Sequence, residues 1–120
     1  MRVVFLALAA GLVIGAAPPA RAHAFLDHAI PLVGSTVRGS PSDVKVWFTQ
    51  ELEPAFSSLQ VVDQNGAEVD KKDKAIDPTD RTLMKVSLPN LPPGKYKVLW
   101  HALSVDTHTT EGTFTFEVVP

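Results

Sequence analysis

From Lys95 to Leu103 the chain alternates with a period of two. Tyr96, Val98, Trp100 and Ala102 fall on one face, with Lys97 and His101 on the other. Successive side chains of an extended strand point to opposite sides, so this pattern predicts a strand with one face in a core. The closing stretch repeats it, with Phe114, Phe116 and Val118 directed inward and Thr113, Thr115 and Glu117 outward.

Shorter runs of the same kind precede these two. Ala24-Phe25-Leu26 can open a first strand, and Ile30-Pro31 through Gly34-Ser35 reads as a bend. Pro41-Ser42-Asp43 is turn chemistry before Val44-Lys45-Val46-Trp47-Phe48-Thr49, which has high β-propensity. Gln50 through Pro54 interrupts that strand, because proline has no amide to donate to a ladder. Leu59 to Asp63 is a further strand. Asn65-Gly66 is a tight turn signal, after which Ala67-Glu68-Val69 is expected to pair back as a hairpin. Asp70 through Arg81 is charged and proline-interrupted and reads as a surface loop. Thr82 to Leu88 alternates again, and Pro92-Pro93-Gly94 leads into the strand described first. With 120 residues there is one domain at most. About seven short strands, no helical period and no internal repeat predict an all-β chain folded as a single sandwich.

The first 22 residues read differently. Arg2 supplies a positive charge, Val3 through Ala17 are apolar apart from glycine, and Ala20-Arg21-Ala22 fits the small-x-small rule for leader cleavage. The apolar run is short for a membrane span and no second one follows. The sequence thus predicts a secretory leader over 1–22, a working chain over 23–120 that starts at His23, and export without membrane insertion. Two of the 11 basic side chains, Arg2 and Arg21, leave with the leader, against 13 acidic ones. The remainder carries a net charge of about −4 and no basic stripe, which removes nucleic acid as a partner. There are no cysteines, so disulfides and thiolate metal sites are excluded.

The chemistry-bearing residues lie at the two ends of that working chain. Asp106 and His108, within Ser104-Val105-Asp106-Thr107-His108, project to the same side if the segment is extended. A carboxylate and an imidazole so placed can share a divalent ion, although a solvated turn between two strands is the competing reading. A histidine at the start of a chain adds its α-amine and ring Nδ1, which close a six-membered chelate ring. Both are deprotonated at little cost near neutral pH, with ordinary pKa values near ~7.8 and ~6.5. Two nitrogens from His23, one from His108 and an oxygen from Asp106 make a tetragonal set that favours copper(II), with zinc bound more weakly. An amide nitrogen at position 23 is a poor ligand, so this site exists only after cleavage.

Jointly, several motifs give the chain a resemblance to the CopC family of periplasmic copper-resistance proteins. They are His23-Ala24-Phe25-Leu26, Pro31 with Gly34-Ser35, Val46-Trp47-Phe48-Thr49-Gln50, Gly94 through Trp100, Ser104 through His108, and Gly112-Thr113-Phe114-Thr115-Phe116. The resemblance implies a Greek-key, cupredoxin-like sandwich or barrel without the cupredoxins' own copper site. It also implies a copper(II) site at positions matching His23, Asp106 and His108. Gln50 stands where many members carry an acid near the ion, so Gln50 and Thr107 are expected beside the ion rather than on it. Glu51 is the nearest acid, but one residue along a strand points to the opposite face, so its part in the site stays open. Some members bind copper(I) through a methionine-rich loop. Once Met1 is lost Met84 is the last methionine here, which implies a copper(II)-only member.

The other polar candidates have plainer readings. His28 and His101 are expected to be exposed, although the strand of His101 ends near Asp106. Trp47 and Trp100 are expected in the core. Thr107 and Thr109 could orient Asp106 by hydrogen bonding. No nucleophile–base pair or cofactor motif is visible, so the expected function is a periplasmic copper(II) carrier or buffer and not an enzyme. The alternatives are a histidine-brace copper oxidase or monooxygenase and a structural immunoglobulin-like module. The delivery partner stays open between an inner-membrane copper transporter, an outer-membrane protein and none, and a one-site monomer suffices.

Overall fold

The structure, a computed structural model, describes residues 24–120; the leader expected over 1–22 and His23 lie outside the described residues. The first sheet runs in the order β1 (Leu26–Ile30), β3 (Asp43–Phe48), β6 (Leu83–Ser87) and β5 (Ala75–Ile76). The second runs in the order β2 (Thr36–Arg38), β8 (Thr109–Val119), β7 (Gly94–Leu103) and β4 (Ser58–Val62). Successive strands cross repeatedly from one sheet to the other, giving the all-β, cupredoxin-like sandwich that the alternation and the family resemblance predict. A 3-10 turn, Pro54–Phe56, breaks the path between the sheets. No helix among the described residues is long and apolar enough to cross a membrane.

Alternation sets which side chains meet between the layers. Val44, Val46 and Phe48 of β3 are buried, and so are Met84 and Val86 of β6. Facing them are Tyr96, Val98, Trp100 and Ala102 of β7, with Phe114, Phe116 and Val118 of β8. The long β7–β8 ladder pairs Gly94 with Val118 at one end and Leu103 with Thr109 at the other. It is the spine of the second sheet.

Two expectations need correction, the surface-loop reading of residues 70–81 and the core placement of Trp47. Eight strands are present among the described residues, in line with the about seven expected; β2 and β5, with three and two residues, are too short to display a period. β2 pairs parallel to the far end of β8, Thr36 opposite Glu117 and Arg38 opposite Val119, a contact without a local sequence signal. Residues 70–81 are not merely a surface loop: they contain β5, and Asp70 is buried, accepting the Val61 N–H at 2.8 Å. Finally, Trp47 is half-buried on the outer face of its sheet rather than in the core. It is covered by the His28 ring, 4.4 Å away centroid to centroid and only 8° from parallel. The expected hairpin after Asn65-Gly66 forms, but as a bridge between Val62 and Glu68, with the Val69 N–H on the Val61 carbonyl at 2.8 Å.

Candidate metal centre

Asp106 and His108 lie in the connection between β7 and β8. The segment is not extended. Thr107 N–H donates to Ser104 O at 2.9 Å, and Ser104 N–H donates to His108 O at 3.0 Å. Thr107 takes a left-handed conformation with φ 69°. A four-residue turn followed by a left-handed residue is the form of a three-residue hairpin loop. Strand alternation therefore does not set the directions of Asp106 and His108; the turn does. Both are exposed.

Ser104 is the buried foot of this loop, fully excluded from solvent, with its hydroxyl 3.4 Å from both the N and the O of His108. Thr107 bonds elsewhere than expected. Its hydroxyl donates to the main-chain carbonyl of Asp106 at 2.6 Å, so it braces the turn and not the carboxylate.

A second segment packs along the same end of the sandwich. β3 stops at Phe48, and Thr49 and Gln50 bend away, which removes the premise that Gln50 and Glu51 point oppositely along a strand. Leu52, fully buried, bridges Ser104, while Val105 N–H donates to Glu51 O at 3.1 Å and Glu53 N–H to Leu103 O at 2.8 Å. Gln50, half-buried, thus belongs to the strip that flanks the Asp106–His108 loop.

The start of the described chain reaches this end as well. Phe25 N–H donates to Thr49 Oγ1 at 3.0 Å, and Thr49 N–H returns a bond to Phe25 O at 2.8 Å. Thr110 Oγ1, two residues after His108, donates to Ala24 O. Ala24, which follows His23, and Thr110, two residues after His108, are therefore joined directly, while Val105, which precedes Asp106, is tied to Glu51.

Other histidines stay apart. His28 Nδ1 donates to Asp27 Oδ2 at 2.7 Å while its ring covers Trp47. His101 sits on the outer face of β7, opposite Glu111 of β8 and Ser58 of β4. Its Nδ1, 3.2 Å from Phe56 O, must carry the proton, since a carbonyl only accepts. His101 lines an open cavity of about 500 Å³ with Glu111, Gln60 and Thr113, on the opposite side of the sheet from the core. Among the described residues, no three histidine, aspartate or glutamate side chains gather as a metal cluster.

The hydrogen-bonding roles of Thr49, Ser104 and Thr110 were not predicted by the sequence. Thr110 left a signal: counting back in twos from Phe114 gives Gly112 and then Thr110, a polar residue in an inward slot.

Residues 26–119 match the family model of the CopC domain. The chain belongs to the CopC family. It is 32% identical over 120 residues to copper resistance protein C of Escherichia coli, an alignment covering 92% of this chain and 93% of that one. To protein YobA of Escherichia coli K12 it is 31% identical over 102 residues, 84% of this chain and 82% of that protein. It is also 31% identical over 98 residues to the copper transport protein CutJ of Bacillus subtilis, of which the match spans only 18%. The crystal structure of CopC from Methylosinus trichosporium OB3b superposes with a TM-score of 0.73 at 34% identity, covering 82% of this chain and 95% of that one. PcoC of Escherichia coli, described as a methionine-rich copper resistance protein, gives a TM-score of 0.71 at 30% identity over 82% of this CopC-family chain and 100% of its own.

Proposed function

We propose that this CopC-family protein is exported to the periplasm, loses residues 1–22, and carries or buffers copper(II) at one site. The site is built from the amine and Nδ1 of His23, a ring nitrogen of His108 and a carboxylate oxygen of Asp106. The observation that carries this reading is the bond from Thr110 to the Ala24 carbonyl, because it ties the residue after position 23 to the strand that begins just after His108. The reading asks for only one peptide unit, about 3.8 Å between Cα atoms, to separate Ala24 from the ligating residue.

The donor types suit copper(II). Three nitrogens and one carboxylate oxygen form a tetragonal N/O set, and copper(II) heads the divalent affinity order. Methionine sulfur would be needed for copper(I), and Met84 is 0% exposed, packed between the sheets. Binding displaces protons from the amine and the imidazoles, so acidification favours release. Gln50 and Thr107 support the loop and its flank rather than bind. On this reading three residues hold the ion as cargo, which suits a carrier. The match to part of a copper transport protein supports hand-over to an inner-membrane copper transporter, and a single site asks for no more than a monomer.

The test is a copper(II) titration of protein beginning at His23, followed by paramagnetic resonance, in the H108A, D106A and H101A variants. H108A is expected to lose tight binding and one nitrogen from the spectrum, and D106A to weaken it, while H101A binds as the unaltered protein does. Equal binding by H108A and H101A would remove the assignment.

A further inference from the structure

The main chain of residues 24 and 25 is unusually well held for the beginning of a domain. Ala24 is 0% exposed, its methyl group within the core cluster. Its carbonyl takes the Thr110 hydroxyl, the Phe25 N–H takes Thr49 Oγ1 at 3.0 Å, and the Phe25 carbonyl takes the Thr49 N–H at 2.8 Å. Thr49 directly follows β3 in one sheet, and Thr110 lies on β8 in the other. The first residues are therefore fastened to both layers at once.

Thr110 sits at an odd place for a hydroxyl. It shares the inward face of β8 with Gly112, Phe114, Phe116 and Val118, opposite the fully buried Ala102. Valine fills the same volume and would be the ordinary occupant of such a slot. The β7–β8 ladder already holds β8 along its whole length, so the strand does not need this bond. What the hydroxyl adds is a fixed Ala24 carbonyl.

We propose that Thr110, seconded by Thr49, is a positioning residue that orients the chain start so that the residue-23 amine meets the copper(II) ion already in chelating geometry. The inference rests on the site proposed above. A free chain end would have to surrender its backbone freedom when the ion binds; the two threonines remove that freedom beforehand, which is preorganisation. Hydrogen bonds that orient a metal ligand commonly matter about 10- to 100-fold in affinity.

The test uses protein beginning at His23, with copper(II) as the probe and three variants. T110V removes the donor hydroxyl at constant volume, T110S keeps it, and T49A removes the hydroxyl that accepts the Phe25 N–H at an exposed position. T110V is expected to bind copper(II) about 10- to 100-fold more weakly, with altered paramagnetic-resonance parameters. In the metal-free protein its Phe25 amide should exchange faster with solvent. T110S should restore affinity and spectrum, and T49A should move both in the T110V direction. Should T110V not fold, T49A against T110S carries the decision. Wild-type affinity and spectrum in T110V and T49A would overturn the clamp, as would a T110S variant as impaired as T110V. Failure of the site itself appears differently, as weak, nitrogen-poor binding by the unaltered protein, and would overturn both.

Discussion

Gly112 leaves the space that the Trp100 indole fills. The two residues are paired across the β7–β8 ladder, and a Cβ on Gly112 would lie 2.6 Å from Trp100 Cζ2 and 2.8 Å from Cε2. The ring cannot simply retreat, because its other side meets Phe48 edge-on at 5.2 Å. Gly112 is thus required by volume and not by a left-handed backbone. G112A is expected to destabilise the fold by about 1–3 kcal/mol, the usual cost of overpacking a core. Urea unfolding followed by tryptophan fluorescence measures it, and an unchanged midpoint would contradict the packing account.

Asp70 acts as a substitute strand for the edge of β4. Its Oδ2 accepts the N–H of Val61 at 2.8 Å and its Oδ1 that of Lys72 at 2.9 Å, with Val61 fully buried. D70A would leave a buried donor unpaired and should cost about 1–3 kcal/mol. D70N, which keeps one acceptor oxygen, should cost less. Equal losses in the two variants, read from urea midpoints, would mean that packing rather than hydrogen bonding is at stake.

The sandwich was legible wherever apolar residues recur in twos over five or more positions, as in Tyr96 to Ala102 and Phe114 to Val118. Trp47 was legible too, since Val44, Val46 and Phe48 inward force it outward; its aromatic character argued wrongly for the core. β2 was not, because Thr36-Val37-Arg38 pairs with a strand some eighty residues later and has no periodicity of its own. At the candidate centre the residue types were readable but the loop was not. A β-branched residue rarely adopts the left-handed conformation that Thr107 takes, so an extended segment was the natural expectation.

That conformation has a measurable consequence. The left-handed region costs an L-residue with a β-branch roughly 1–2 kcal/mol, and asparagine tolerates it better. T107N is expected to raise stability by about 0.5–1 kcal/mol after loss of the hydroxyl's bond to the Asp106 carbonyl. Copper(II) affinity should stay unchanged, because the turn is kept. A large loss of affinity in T107N would show that the Thr107 side chain serves the ion directly.

Asp77 governs part of the acid response. The Thr79 hydroxyl and N–H, with the Asp80 N–H, stabilise its ionised carboxylate and lower its pKa from 3.8 to about 2, with Lys85 adding a smaller effect. A depressed folded-state value means stabilisation that is complete above pH 3.8 and lost as pH falls through about 2. D77N should therefore be less stable than the unaltered protein at neutral pH, with the gap closing across that window. Urea midpoints from pH 6 to pH 2 test this, and a gap independent of pH would contradict it.

The central claim is that copper(II) is held through a free amine at position 23, and one comparison reaches it directly. Copper(II) is titrated into protein beginning at His23 and into protein with one extra residue before it, with paramagnetic resonance and tryptophan fluorescence as readouts. The account predicts stoichiometric, nitrogen-rich, tetragonal binding in the first and binding weaker by orders of magnitude in the second. Equal affinity and identical spectra in the two would contradict it.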